Sequence, residues 1–180
     1  MRRGERAVYV FGPPGVGKTT LVAATMRAEG AHEAHQHSHP VPHVVHVPIG
    51  WTELGRWRPP FGGTDALSYG IAPQVRDWLS VDPPRLLIAE GDRLASGDFF
   101  RLLTDVYDRV TLVYVRGDEV ARQRAAERAA RIGSKPQNEA WWKGRATKCL
   151  NLAADWSPLV IDAALPTAAQ VDLLRTAATS

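Results

Sequence analysis

The chain has 180 residues, 44% hydrophobic and 23% charged, with 15 glycines and 13 prolines; this suits one domain with a real core and excludes a disordered or collagen-like chain. No apolar run approaches the ~20 residues needed to span a bilayer, so no membrane association is expected. The single cysteine, Cys149, excludes an intrachain disulfide, and the first apolar stretch, residues 7–11, is too short for a signal-peptide core, so the sequence predicts a cytoplasmic protein (host cytoplasm for a viral one). The net charge of +3 is mild but uneven: between Arg116 and Lys148 nine Lys/Arg stand against four Asp/Glu, leaving the remainder net negative. An anionic partner is expected at that segment.

In chain order, residues 7–11 predict a buried strand. Gly12-Pro13-Pro14-Gly15-Val16-Gly17-Lys18-Thr19-Thr20 follows, then a helix over 21–29. Residues 31–42 read as a polar loop, 44–47 as a second strand, and 48–64 as a long loop holding Trp51, Trp57 and Gly62-Gly63. Thr64 or Asp65 caps a helix to about Leu79, interrupted or restarted near Pro73. After Pro83-Pro84, residues 86–89 predict a third buried strand ending at Glu90-Gly91-Asp92-Arg93. A helix from Ser96 or Gly97 to Tyr107, a fourth strand over 110–115 and an Arg/Ala/Glu helix over 118–132 come next. A polar loop over 133–139, a helix over 141–155, a fifth strand over 159–162 and a last helix from Thr167 to Ala178 complete the chain. Strands alternating with helices predict an α/β fold with a parallel sheet covered on both faces, in one domain over residues 1–180.

Three stretches carry chemistry. Gly12, Gly17, Lys18 and Thr19 match G-x-x-x-x-G-K-[ST] between a predicted strand and a predicted helix. Such glycines let the backbone N–H groups within residues 12–20, of which Pro13 and Pro14 have none, turn onto phosphate oxygens, and the helix N-terminus adds positive potential. Lys18, in a solvated loop-to-helix turn, would reach the β- and γ-phosphates of ATP, and the Thr19 hydroxyl would ligate Mg²⁺. At the end of the third strand, Glu90 is a candidate metal-binding acid with Asp92 within reach. In the basic segment Arg124, Arg128 and Arg131 fall at i, i+4 and i+7 on one helical face, suited to the charge of a transferring phosphoryl group. Trp141-Trp142 with Lys143, Arg145 and Lys148 interleaves aromatics and cations as a nucleic-acid strand requires; the same pattern equally fits two helix-core tryptophans among solvated cations.

On the acceptor side, taken as about 48–80, Asp65 is the only acid in the glycine-flanked cluster 62–68 and is the candidate base. Thr64 and Arg93 are further acceptor contacts. Trp51, Trp57 and Tyr69 are candidates to stack on a base, and Arg56, Arg58 and Arg76 would serve a phosphate-bearing acceptor. All six histidines, at 32, 35, 37, 39, 43 and 46, fall within 15 residues. Without a helical x₃–x₅ pair or a cysteine they read as a solvent loop rather than a zinc site.

The order of these motifs resembles the adenylate-kinase-like branch of P-loop kinases over nearly the whole chain. That resemblance implies a three-layer fold with five parallel strands in the order 2-3-1-4-5 and a helical lid over about 117–148, closing on the triphosphate. The segments 63–68, 90–94, 133–135 and 143–148 look similar to phage-type kinases of hydroxymethyluracil bases in DNA, in which a base hydroxymethyl group receives the γ-phosphate. DNA is thereby implied as substrate. A kinase of a free nucleoside, nucleotide or small metabolite is the alternative, and a P-loop ATPase or switch module without transfer is a third reading.

Overall fold

The computed structural model describes residues 3–56, 62–131 and 138–179, without the side chains of 118, 120, 125, 128, 129 and 131. The alternation of side chains along the first strand sets the layering. In β1 (Gly4–Phe11), Ala7, Tyr9 and Phe11 face one core and Val8 and Val10 the other, all five fully buried. A strand buried on both faces belongs in the middle of a sheet, and β1 pairs in parallel with β5 (Leu86–Glu90) and β6 (Tyr107–Arg116). Outside them, β4 (Trp51–Leu54) joins β5 and β7 (Leu159–Asp162) joins β6, again in parallel. The helices α2 (Ala72–Val81), α3 (Gly97–Val106) and α5 (Glu139–Trp156) contribute to the first core. The second takes in α1 (Lys18–Ala28) and α6 (Thr167–Thr179). The basic helix α4 (Asp118–Arg131) follows β6.

The sheet corrects the five-strand expectation. It has seven strands in the order β2-β3-β4-β5-β1-β6-β7. Two were expected as loop: β2 (Ala34–His37), exposed throughout, and β4. The predicted second strand is β3 (His43–His46), but it pairs antiparallel with both β2 and β4 rather than in parallel with β5. The four residues of β4, Trp-Thr-Glu-Leu, are all buried despite Thr52 and Glu53. Glu53 is tolerated there because its Oε2 lies 3.1 Å from the buried His46 Nε2. The histidine-rich stretch is therefore largely sheet, with His37 stacked on His43 at 4.8 Å and His43 on Trp78 at 4.9 Å. Among the described residues no group of three or more His, Cys, Asp or Glu is placed to hold a metal ion.

The expected helix from Thr64 or Asp65 is instead a 3-10 turn, Gly63–Ala66, and α2 starts afresh at Ala72 with Pro73 in its first turn. Tyr107, expected to end α3, opens β6. Among the described residues, no helix is long and apolar enough to cross a membrane.

Candidate functional site

β1 and β5 both end against the loop that joins β1 to α1. Gly12, Gly15 and Gly17 adopt φ of +154°, +90° and +103°, conformations that side chains disfavour. A Cβ at Gly12 would also collide with the carbonyl of Val115. Lys18 is buried rather than solvated, correcting the sequence reading: its Nζ donates to Gly12 O at 3.0 Å and Pro13 O at 3.2 Å. Thr19 Oγ1 donates to Glu90 Oε1 at 2.8 Å.

Glu90 ends β5 and is almost fully buried, and its Oε2 has no hydrogen-bond partner among the described residues. Burial above all, with the Asp65 and Glu53 carboxylates nearby, pushes its pKa up to about 7 against the opposing Lys18 charge and Thr19 hydroxyl. Thr64 Oγ1 donates to Glu90 O at 2.9 Å, and Tyr9, its ring edge-on to Phe99 and Phe100, donates to Gly91 O at 3.1 Å. Desolvation holds the Tyr9 phenol protonated, as that donor role needs. The core thus fixes the turn that follows β5.

Asp65 sits against that turn. Its Oδ1 accepts the backbone N–H of Asp92 at 2.8 Å and of Arg93 at 3.0 Å, and Arg93 Nη2 donates to Asp65 O at 3.2 Å. The approach is close because Gly91 has no side chain: a Cβ there would lie 2.9 Å from Asp65 Oδ1. The candidate base is therefore also a turn-capping carboxylate. Asp65→Asn keeps an acceptor for both N–H groups but removes the charge. Turnover is expected to fall by about 10²–10⁴-fold with the KM for ATP little changed. Normal turnover at saturation with a lowered melting temperature would leave Asp65 with the cap alone.

A cleft of about 890 Å³ opens over these groups. Pro14, Gly15, Gly17, Lys18, Thr19 and Thr20 line one side, and Asp65, Tyr69, Asp92 and Arg93 another. Arg124, Glu127, Trp141 and Arg145 reach in from α4 and α5. Asp92, assigned to metal by the sequence, has both carboxylate oxygens engaged by cations: Oδ2 with Arg145 Nη1 at 2.6 Å, Oδ1 with Lys148 Nζ at 2.9 Å. Lys148 also donates to Asp92 O at 2.9 Å. Lys143 points elsewhere, pairing with Glu139 at 2.9 Å on the exposed face of α5. Arg124 donates to the loop carbonyl of Val16 at 3.1 Å. The side chains of Arg128 and Arg131, and the residues Trp57, Arg58 and Lys135, lie outside the described residues.

Trp51 belongs to the buried core on the α1 side, not to the cleft, and Arg56 and Arg76 are not among its lining residues. Sequence reasoning did not anticipate two guanidinium–aromatic pairs at the cleft: Arg93 over Tyr69 at 3.8 Å and Arg145 over Trp141 at 5.5 Å. Tyr69 is 88% and Trp141 43% exposed. Their signal in the sequence is weak, since partners 24 and 4 residues apart share no motif. Trp142, by contrast, is buried, with its Nε1 donating to Pro14 O at 3.1 Å.

The family model for P-loop Nucleotide Kinase3 matches residues 3–172. Among curated proteins none matches. Of solved structures, a gluconokinase from Sinorhizobium meliloti is similar over 99% of this chain and 97% of its own, at 14% identity and a TM-score of 0.54. A sugar kinase from a Janibacter species covers 96% and 94% respectively, at 13% identity and a TM-score of 0.52. At these identities the likeness is one of fold.

Proposed function

The chain belongs to the P-loop nucleotide kinase family and is a phosphotransferase, and from that premise we propose that it transfers the γ-phosphate of ATP to a hydroxyl carried by a nucleobase. The observation that carries the acceptor class is the pair of exposed rings, Tyr69 and Trp141, each under a guanidinium and both lining the cleft that holds Lys18 and Thr19. Planar acceptors gain from such stacking, at roughly 1–3 kcal/mol per base; a sugar acid would not use it.

The chain's own residues divide the work. The loop from Gly12 to Thr20 holds the triphosphate, and Lys18 leaves its two carbonyls for the transferring phosphate. Asp65 orients the acceptor hydroxyl and takes its proton. Arg124 stands at the edge of the loop, ready to meet the equatorial phosphate oxygens as the lid helices close. Thr19 and Glu90 would hold Mg²⁺: both offer oxygen, as a hard cation requires, and Glu90 Oε2 is buried without a hydrogen-bond partner among the described residues. Bound there, Mg²⁺ neutralises charge on the phosphate oxygens. Asp92 instead fixes α5 through Arg145 and Lys148.

Two forms of the acceptor share this chemistry. One is the hydroxymethyl group of hydroxymethyluracil in DNA, extruded into the cleft; the other is a free nucleoside or nucleotide. The row of DNA phosphate contacts expected from the sequence is not what supports the first, since Lys143, Arg145 and Lys148 all have partners within the chain. Supplying γ-labelled ATP with hydroxymethylated duplex DNA, plain duplex DNA, free nucleosides and gluconate tests the reading. Label on the hydroxymethylated DNA assigns the DNA-borne base, and label on a nucleoside alone assigns the free form. Label on gluconate alone, or release of inorganic phosphate with no acceptor labelled, overturns the proposal.

A further inference from the structure

We propose that Trp142 is a positioning residue for the triphosphate, acting through the Pro14–Gly15 peptide; the inference rests on reading Gly12–Thr19 as the phosphate cradle. The indole N–H of Trp142 donates to the carbonyl of Pro14 at 3.1 Å. In a planar trans peptide the C=O and the following N–H point in opposite directions. Holding the Pro14 oxygen toward α5 therefore aims the Gly15 N–H the other way, into the loop. The next carbonyl but one is held likewise: Arg124 Nη1 donates to Val16 O at 3.1 Å, which sets the Gly17 N–H. With φ of +90° at Gly15 and +103° at Gly17, these are the amides of an anion-binding concavity.

Trp142 is built to hold that bond. Its ring is 6% exposed and packs in the core that contains Val16 and Ala146. Arg122 of α4 lies 4.7 Å over the ring. One and nearly two helical turns on, Arg145 and Lys148 of the same helix grip Asp92 in the acceptor-side turn. The aim of the Gly15 amide and the placement of that turn thus depend on one rigid helix. A buried indole N–H needs an acceptor in any case, so the competing account is that Pro14 O merely satisfies Trp142. The two accounts differ for Trp142→Phe, which keeps a ring for the packing and for Arg122 and removes only the donor.

Binding of ATP and of inorganic tripolyphosphate, measured by calorimetry beside the ATP dependence of turnover, separates them. Trp142→Phe should weaken both ligands and raise the KM for ATP about fivefold, the equivalent of one neutral hydrogen bond of about 1 kcal/mol, with a smaller change in kcat. Affinities equal to wild type, whatever the melting temperature, overturn the proposal. A second measurement uses the unaltered protein, so that poor folding of the variant decides nothing: in ¹⁵N-labelled wild type the Gly15 amide resonance should shift on adding tripolyphosphate, and a Gly15 amide that stays in place is equally fatal. If wild type binds tripolyphosphate and Lys18→Ala does not, the cradle reading stands even when the Trp142 proposal falls. If wild type itself fails to bind tripolyphosphate, the cradle reading falls first.

Discussion

Lys18→Ala is expected to lower kcat/KM by about 10²–10³-fold or more, while the protein still unfolds cooperatively. The scale is that of removing one preorganised donor from developing phosphate or oxyanion charge. The structure gives a reason for the fold to survive that differs from the sequence reading. Lys18 is not solvated; it is buried, with its ammonium lent to the carbonyls of Gly12 and Pro13. Those are neutral acceptors of the loop itself, and Lys18 lines the cleft, so its removal opens space toward water rather than within either core. The charge that departs also opposes the raised pKa of Glu90, so the variant should hold the Glu90 proton more tightly still. Phosphate transfer from labelled ATP, read beside a thermal melt, checks both halves. Wild-type turnover would remove Lys18 from the transfer, and loss of the cooperative transition would make it a structural residue.

What could be read from the sequence follows from how each element advertises itself. The phosphate loop was legible because its glycines are needed for backbone shape, and that need leaves fixed spacings between a strand and a helix. β1, β5 and β7 were legible as short apolar runs. β4 was not, because two of its four buried residues, Thr52 and Glu53, are polar. Its burial is made tolerable by His46, seven residues away, and pairing of that kind has no periodic signature. β2 escaped for the opposite reason: an exposed edge strand of Ala-His-Gln-His carries no apolar face.

In the site, residue types were legible and partners were not. Asp92 and Arg145 each looked free to meet a metal or a DNA phosphate. Only the fold, which brings α5 to the turn after β5, turns them on one another. Asp65 stood out as the lone acid of its cluster, but its hold on the N–H groups of Asp92 and Arg93 depends on the close approach that Gly91 permits. Trp142 was ambiguous in sequence between core and ligand stacking. The structure makes it core, with its single polar atom spent on the phosphate loop.

Glu90→Gln is expected to act on both activity and stability, and with opposite signs. Glu90 titrates near 7 in the fold, against about 4.5 when unperturbed. Between those values the native state keeps a proton that the unfolded chain has lost, so the stability of the cation-free protein falls as pH rises through this window. For a fully buried group the loss is on the order of 3 kcal/mol, complete above pH 7 and absent below pH 4.5. Glutamine cannot ionise, so Glu90→Gln should flatten the dependence of melting temperature on pH and melt above wild type at pH 8 by several degrees. Its activity should move the other way. Without a carboxylate beside the Thr19 hydroxyl, half-maximal turnover should need far more Mg²⁺, with kcat/KM reduced by about 10²-fold or more. Melts from pH 4 to 8 without divalent cation, set beside Mg²⁺ titrations of turnover, read both effects. A wild-type Mg²⁺ midpoint in the variant would take the metal away from Glu90. A pH slope as steep as that of wild type would show that some other buried group holds the proton.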